Sequence, residues 1–251
     1  MKNQHLVMGC LHFPFHNKIM FNGVLQLIKD LGKNLAGIHL IGDILDMNSL
    51  AFQQRGQVPI EGVTLGWEYK ESSKLMDKID DAIGNRKIEK NFLEGNHENR
   101  FWRELKKIDS SKLGSALLSP EEGLRLSERG YNVYTDYMND YVVLGDHLHL
   151  LHGYYVCQNP AKKHLNMLKK SCMFVHTHVV DAFYEGDMCG LNIGWGGDRN
   201  APAFRYANWM TKQRWLNGFN IVTIDDNGFF YPQQITAFND YFYYGGKRYG
   251  K

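Results

Sequence analysis

The sequence has few cysteines, and their spacing excludes two kinds of cysteine-based structure. Only four of its 251 residues are cysteine, at positions 10, 157, 172 and 189, and no two of them form a CxxC pair. This spacing predicts neither a zinc site built from thiolates nor a disulfide framework. Because disulfides are rare in reducing compartments, the pattern favours an intracellular protein.

Long hydrophobic runs and a strong net charge are also missing. No apolar stretch approaches the roughly 18 residues that indicate a transmembrane helix, and the first residues do not form a charged and then apolar leader. We therefore expect no membrane partner, no signal peptide and a cytoplasmic location. The net charge of +2 is not the strongly basic field of a dedicated nucleic-acid-binding protein.

The composition that remains is typical of a globular protein. With 43% hydrophobic and 22% charged residues, the chain is long enough to bury a large core. We find no internal repeat or linker and predict a single domain over residues 1–251. The tail from about residue 238 combines tyrosines with lysine and arginine and could stack on bases, but a packed or frayed terminus is the favoured interpretation.

The first half of the sequence alternates between strand and helix patterns. Apolar runs over 5–10 and 35–43 predict buried strands, and apolar residues at helical spacing predict helices over 18–31 and roughly 65–83. A third strand is predicted within 87–98. This order is typical of βαβ units and a mostly parallel sheet.

The second half contains shorter strand patterns. A helix is predicted near 160–170, and hairpins are predicted around Gly186 and around the turn Asp226-Asn227-Gly228. The two halves together predict two sheets packed face to face, with helices outside.

Eleven residues are histidine, and several follow predicted strands. His176 and His178 end an apolar run, where an extended strand would direct residues i and i+2 to one face. A single buried histidine is usually a core residue, but two on one face favour a metal site, because neutral imidazole is the commonest protein metal ligand.

Polar residues follow every predicted buried strand. In an open α/β sheet, ligands collect beyond the carboxyl ends of the strands, and Gly42 and Gly95 permit turns that bring the next side chain back toward that edge. Asp, Asn, His and Cys delivered to one edge predict a metal site. They stand in five blocks: Cys10-Leu11-His12, Gly42-Asp43-Ile44-Leu45-Asp46, Gly95-Asn96-His97-Glu98, His152-Gly153 and Val175-His176-Thr177-His178.

In this order, over about residues 5–180, the blocks resemble the calcineurin-like metallophosphoesterase superfamily, whose pattern is D-x-H, GD-x-x-D, GNH-[DE], a lone His and GH-x-H. Cys10 replaces the first Asp of that pattern, and Val175 replaces the Gly before the last two histidines. Trp215 and the segment NGFNIV resemble, more weakly, a strand of phage- and bacterial-type members. The resemblance implies a four-layer α/β/β/α sandwich of two mixed sheets flanked by helices. A phage-encoded member would lie in the cytoplasm of its host cell.

The resemblance also implies a dinuclear centre of two divalent transition metal ions, with Mn²⁺ as the expected activator. One ion would be held by Cys10, His12, Asp43 and His178, and the other by Asp43, Asn96, His152 and His176. Asp43 would bridge the two ions and, with His97, would be catalytic. A water between the ions would attack phosphorus, and His97 would protonate the leaving-group oxygen.

Further polar residues could support these roles. Glu98 or Asp46 would orient a histidine ring. Arginines 100, 199 and 205 could contact phosphate, although a surface or structural role explains them equally well.

The expected function is therefore hydrolysis of a phosphomonoester or phosphodiester. A phosphatase, a nuclease and a cyclic-nucleotide phosphodiesterase all stay open, as does the oligomeric state. The Trp-rich stretch 195–215 weakly favours a planar group, such as the base of a nucleotide or nucleic acid. The alternative is a non-catalytic scaffold that keeps the fold without the metals, but such a chain should have lost several ligands and His97.

Cys10 admits three interpretations. It could be a thiolate ligand, which would favour Zn²⁺ or Fe²⁺ at that position. It could instead lie beside a site of three protein ligands completed by water, or mark a failing metal site. The ligand interpretation is favoured because Cys10 and His12 are two residues apart at a strand end.

Overall fold

The computed structural model describes residues 3–51, 60–107 and 118–250. Its strands, β1 to β13 in chain order, are Gln4–Met8, Leu35–Ile41, Glu89–Leu93, Asn132–Tyr134, Val142–Leu144, Leu148–Leu150, Cys172–Phe174, Val180–Glu185, Met188–Ile193, Asn217–Ile224, Phe230–Ala237, Phe242–Tyr244 and Lys247–Tyr249. Its helices, α1 to α6, are Lys18–Leu31, Leu65–Ile83, Asn99–Leu105, Pro120–Leu124, Pro160–Leu168 and Trp209–Gln213.

Two mixed sheets contain eleven of these strands, and β12 and β13 pair separately. The first has the order β11-β10-β1-β2-β3-β4, in which β1 to β4 are parallel and β10 and β11 are antiparallel. The second has the order β5-β6-β7-β9-β8, with parallel pairs at β6–β7 and β7–β9. The mostly parallel order predicted for the first half of the sequence is therefore found in strands β1 to β4 of the first sheet.

The sheets and helices form four layers because successive strand residues face opposite sides. Val7 and Ile41 face the second sheet and pack with Leu150 and Ile193 in one buried cluster. On the other side, Leu6 belongs to the cluster that α1 and α2 cover. Helix α5 packs against β7 and β9 on the far side of the second sheet. The predicted four-layer α/β/β/α fold class is confirmed.

Local sequence signals fix the ends of the two long helices. The side chain of Asn17 accepts the backbone N–H of Met20 at 3.1 Å and caps α1, and Thr64 caps α2 in the same way. Helix α1 ends before Gly32, which has a φ of 53°. Both helices have the bounds predicted from the spacing of apolar residues.

None of the described helices is long and apolar enough to cross a membrane.

The tail forms the hairpin β12–β13, which packs on α1. Phe242 and Tyr249 are buried, and the hydroxyl of Tyr249 donates to Asp30 at 2.9 Å. Gly23 makes this contact possible, since a Cβ there would lie 2.7 Å from the backbone nitrogen of Gly250. The tail is thus a packed terminus as far as Gly250, and Lys251 lies outside the described residues.

Candidate metal centre

The expected ligands lie in the loops that follow the strands. Strand β7 ends at Phe174, and His176 and His178 follow it with left-handed φ values of 69° and 64°. The explanation from the sequence, in which an extended strand directs both rings to one face, is therefore wrong. Cys10 and His12 follow β1 in the same way, at 46° and 52°. Left-handed residues reverse the chain locally, so the turn and not the strand pleat presents these side chains.

One group of donors forms where the loops after β1 and β7 meet. The donor atoms of Cys10, His12 and His178 lie within 4.8 Å of one another. Nε2 of His12 is 3.1 Å from Nε2 of His178, and both rings are buried. The three side chains therefore face one shared space.

A second group surrounds the ring of His152, which follows β6. Its Nε2 lies 3.0 Å from Oδ1 of Asn96, 3.2 Å from Nδ1 of His176 and 3.4 Å from Oδ2 of Asp43. Its Nδ1 lies 3.2 Å from the carbonyl oxygen of Ile41. Because a carbonyl oxygen only accepts, Nδ1 donates there and Nε2 is left to face the group.

Asp43 lies between the two groups. Its carboxylate is within 4.8 Å of the donor atoms of Cys10 and His152, and likewise of His12 and His97. Its Oδ1 accepts the backbone N–H of His97 at 2.8 Å. Burial alone would raise the pKa of Asp43, but the charge of the His152 imidazole holds this pKa well below its usual value. Asp43 is therefore the ionised group that both sets of donors share.

The donor set fits divalent transition metals. It combines imidazole nitrogens with carboxylate and amide oxygens and one thiol, the ligand types of Zn²⁺, Fe²⁺ and Mn²⁺ sites. Burial, followed by the charge of His152, lowers the pKa of His176 to about 3. Burial also lowers the pKa of His178, so both rings are held in the neutral form that ligates metal. The structure brings together all the expected ligands: Cys10, His12, Asp43, Asn96, His152, His176 and His178.

Glu98 holds the loops that carry these donors. Its carboxyl oxygens accept backbone N–H groups of Asp43 at 3.0 Å, Leu45 at 2.7 Å and Gly95 at 2.8 Å. Burial and the charge of Asp43 raise its pKa to about 7. Of the two residues predicted to orient a histidine ring, Glu98 therefore fixes backbone instead.

Asp46 is the residue that orients rings. Its Oδ1 lies 3.1 Å from Nδ1 of His12, and its carbonyl oxygen lies 2.7 Å from Nδ1 of His97. The carbonyl only accepts, so Nδ1 of His97 carries the hydrogen and its Nε2 accepts from Nη2 of Arg100 at 2.8 Å. Burial and the charge of Arg100 lower the pKa of His97. The ring is therefore neutral and held on both nitrogens.

Two glycines make room for these side chains. A Cβ at Gly42 would lie 2.3 Å from Nδ1 of His152, and Gly42 also has a φ of 90°. A Cβ at Gly95 would lie 2.3 Å from Oδ1 and 2.5 Å from the backbone nitrogen of Asp43. The sequence suggested that both glycines permit turns, but at Gly95 the requirement is close approach.

Two tryptophans of the stretch 195–215 form an aromatic wall against the centre, a role that the sequence did not predict. The indole of Trp195 stacks on the ring of His178 at 4.6 Å, and Trp215 meets the same ring edge-on at 4.8 Å. Both indoles are buried, so they support a proposed ligand and offer no surface to a planar substrate. The position of Trp195 in the sequence was a usable signal. It comes after strand β9 and Gly194, just as the other site residues come after their strands.

The three arginines considered as phosphate contacts have different environments. Arg100 is buried in the centre, Arg199 donates to the carbonyl oxygen of Trp215, and Arg205 is exposed. A cleft of about 150 Å³ opens beside Asn96, and its lining includes Arg100, Arg103, Lys107 and Tyr137. The positive charge beside the centre therefore comes mainly from α3 and the residues after it.

Cys10 is fully buried, and its Sγ accepts the backbone N–H of His176 at 3.2 Å. Burial, followed by the charge of Asp43, raises the pKa of its thiol well above the usual value. The geometry places the sulfur in the first donor group, with His12 and His178.

No family model and no curated protein match the sequence. Among solved structures, zinc-complexed Vps29 from Entamoeba histolytica is 12% identical to this chain and has a TM-score of 0.44. The alignment covers 93% of this chain and 98% of the Vps29 chain. A predicted phosphoesterase from Streptococcus pneumoniae is 15% identical, with coverages of 100% and 99% and a TM-score of 0.40. The nuclease MPE from Pseudomonas putida is 11% identical, with coverages of 91% and 87% and a TM-score of 0.33. These values are too low to transfer a residue role or an activity to this chain.

Proposed function

We propose that this chain is a metal-dependent phosphoric ester hydrolase of the calcineurin-like metallophosphoesterase superfamily. The observation that carries the proposal is the convergence of two donor groups on the carboxylate of Asp43. In the structure these donors contact one another directly, as Nε2 of His12 and Nε2 of His178 do at 3.1 Å, and each such contact joins two groups that ligate metal. Two cations satisfy the same set of groups.

Each donor group would hold one ion, and Asp43 would contact both. Two bound divalent ions supply Lewis acidity toward phosphoryl oxygens and a water of lowered pKa. Within the chain, Asp46 fixes the ring of His12 and Glu98 fixes the two loops that bear Asp43 and Asn96. These contacts position the ligands before any substrate arrives.

His97 would deliver a proton to the leaving-group oxygen. In the structure its Nε2 instead accepts from Arg100, so this nitrogen first has to be released and protonated. A guanidinium pairs readily with phosphate oxygens. A substrate phosphate would therefore draw Arg100 Nη2 away from His97, while Arg100 Nη1 keeps its 2.7 Å contact to the Asp46 carbonyl.

The cleft beside Asn96 supports an anionic substrate with a planar part. Arg103 provides charge for phosphate, whereas Lys107 is paired at 2.6 Å with Glu104, which also lines the cleft. The ring of Tyr137, 6.3 Å from that of His152, provides a face for stacking. We propose a nucleotide or a nucleic-acid end as the substrate class, with Mn²⁺ as the activating ion.

A metal-supplemented substrate screen tests this function. The protein, loaded with Mn²⁺, Zn²⁺ or Fe²⁺, is assayed on bis-p-nitrophenyl phosphate, p-nitrophenyl phosphate, 2′,3′- and 3′,5′-cyclic nucleotides, and single- and double-stranded DNA. We expect metal-dependent hydrolysis of at least one phosphodiester. Absence of bound metal after reconstitution, together with no turnover of any substrate, would refute the proposal.

Cys10→Asp tests the identity of the first ion. A thiolate favours Zn²⁺ or Fe²⁺, whereas a carboxylate favours Mn²⁺, so a ligand role predicts a shift of metal preference toward Mn²⁺ and lower sensitivity to oxidants. Metal content and rate are measured for each ion under anaerobic conditions. Profiles identical to those of the wild type would exclude Cys10 as a ligand, and a metal gained only by the variant would identify a failing site.

The buried Cys10 thiol at one ligand position also supports the second function, a non-catalytic scaffold with the same fold. Such a scaffold would bind at most one ion and hydrolyse nothing in the screen, even with Cys10→Asp. Turnover by the wild type would exclude it.

A further inference from the structure

A second cluster of metal-ligating side chains lies within the first sheet, at the amino ends of its strands. On β1, His5 pairs with Gly37 of β2, and Gly37 pairs in turn with Glu89 of β3. His39 lies two residues after Gly37, so its side chain projects from the same face. Three adjacent strands therefore each contribute one potential ligand around a single glycine.

The donor atoms of this cluster converge. Nδ1 of His5 is 2.9 Å from Nε2 of His39, and the donor atoms of both rings and of Glu89 lie within 4.8 Å of one another. A Cβ at Gly37 would lie 2.7 Å from Nδ1 of His5 and 3.0 Å from Nε2 of His39. Glycine is therefore the residue that leaves the space between the two ring nitrogens open.

We propose that His5, His39 and Glu89 form a further divalent-metal site, of the two-histidine and one-carboxylate type, that takes Zn²⁺. Imidazole nitrogen and carboxylate oxygen are ordinary zinc ligands, and three protein ligands leave a position for water. His39 is fully buried, whereas Glu89 is exposed, so the ion enters from the Glu89 side. The site is separate from the centre at Asp43, because four strand residues span on the order of 13 Å. It extends the proposed function and does not depend on it.

Asn91 supports the rings and would set the metal-binding form. Its Nδ2 lies 2.9 Å from Nδ1 of His39 and 2.8 Å from Oε1 of Glu89, and its Oδ1 accepts from Asn132 at 3.0 Å. With this amide orientation, Nε2 of His39 carries the hydrogen and donates to His5. Turning the amide over would place Oδ1 against Nδ1–H of His39, which frees Nε2 and the Glu89 carboxylate for an ion. The amide of Asn132 would turn with it, so that its Oδ1 accepts from Nδ2 of Asn91. Asn91 is therefore a positioning residue.

Zinc titration of paired glutamate variants tests the ligand assignment. Glu89→Gln removes the carboxylate at an exposed strand position, and Glu185→Gln makes the same change at an exposed position of β8 in the second sheet. We expect Glu89→Gln to lose one equivalent of Zn²⁺ or to bind it at least about 10-fold more weakly, with Glu185→Gln matching the wild type. Equal zinc binding by the two variants would overturn the proposal.

Histidine ring NMR and Asn91→Asp give a second readout that needs no hydrolytic activity. Added Zn²⁺ should shift the resonances of His5 and His39 in the wild type, and this shift should be lost or weakened in Glu89→Gln. Asn91→Asp presents a carboxylate oxygen to His39 Nδ1–H and should tighten zinc binding at this site about 10-fold. Unchanged His5 and His39 resonances in saturating Zn²⁺, or weaker zinc binding by Asn91→Asp, would show that the cluster is only a hydrogen-bonded network.

Discussion

At the carboxyl ends of β1, β2 and β3, the polar side chains of the site lie in the loops after the strands, several on residues with left-handed φ. At the amino ends of the same strands, the polar side chains lie within the strands. Asp43 has a φ of 51° and stands just beyond β2, while His39 is extended within it. Both ends bury histidines and both use a glycine for space. At the carboxyl ends, turns place the donor side chains, whereas at the amino ends the donors are placed by the register between strands.

This difference explains what the sequence could predict. At the carboxyl ends of β1, β2 and β3 the first donor follows a glycine at the end of an apolar run, as Asp43 does after Gly42, so the motif can be read directly from the sequence. The fold class followed from the alternation of strand and helix patterns with the resemblance, and it is confirmed.

The amino-end cluster could not be predicted in the same way. His39 interrupts an apolar run, and a single buried histidine is usually a core residue. Its relation to His5 and Glu89 depends on which residues of β1 and β3 stand opposite Gly37, and strand register is a tertiary property. The aromatic wall of Trp195 was missed because its role appears only when the loop after β9 meets His178.

Removing the shared carboxylate should have the largest effect. Asp43→Ala deletes the group that lies between both donor sets, so we expect loss of at least one ion and of all measurable hydrolysis. Metal content and turnover are measured beside Asp187→Ala, an exposed change in the β8–β9 turn, which should behave like the wild type. Full activity in Asp43→Ala would remove Asp43 from the mechanism.

Removing the proposed acid should separate catalysis from metal binding. His97→Ala should keep both ions, because His97 is not among the expected ligands, yet lose on the order of 10²–10⁴ in kcat. The loss should shrink for p-nitrophenyl esters, whose leaving group hardly needs a proton. A variant stripped of metal would instead make His97 a ligand.

Matched glycine substitutions compare the two ends directly. Gly95→Ala pushes a Cβ against Asp43 and should cost about 10² in kcat/KM, since a displacement of about 1 Å at a reacting centre has that scale. Gly37→Ala pushes a Cβ against His5 and His39 and should leave hydrolysis unchanged while weakening zinc binding at the amino end.

The control for both is Gly66→Ala, where a Cβ would meet nothing within 4 Å. Equal hydrolysis by Gly95→Ala and Gly66→Ala would contradict the account of Gly95.

Acid should weaken the metal-free protein at both ends of the sheet. Burial lowers the pKa of His16 to about 4 and that of His39 to about 3, whereas both are near 6.5 in the unfolded chain. The unfolded state therefore binds more protons below pH 6.5, and the free energy of unfolding falls as pH drops through that value. Each histidine should contribute a loss of about 2 kcal/mol between pH 7 and pH 5.

His16→Phe tests one of these two contributions, because the ring of His16 packs edge-on against Phe13 and Phe21 and phenylalanine can replace it there. In urea unfolding with EDTA, the fall in unfolding free energy from pH 7 to pH 5 should be about 2 kcal/mol smaller than in the wild type. An unchanged pH dependence would mean that His16 does not resist protonation.

Anomalous diffraction from a crystal soaked in Mn²⁺ tests the central claim most directly, because it locates the ions without requiring a substrate. The account predicts two anomalous peaks about 4 Å apart that share the carboxylate of Asp43, one beside His12 and His178 and the other beside His152 and His176. A map of the fully soaked crystal with no peak at Asp43 would contradict it.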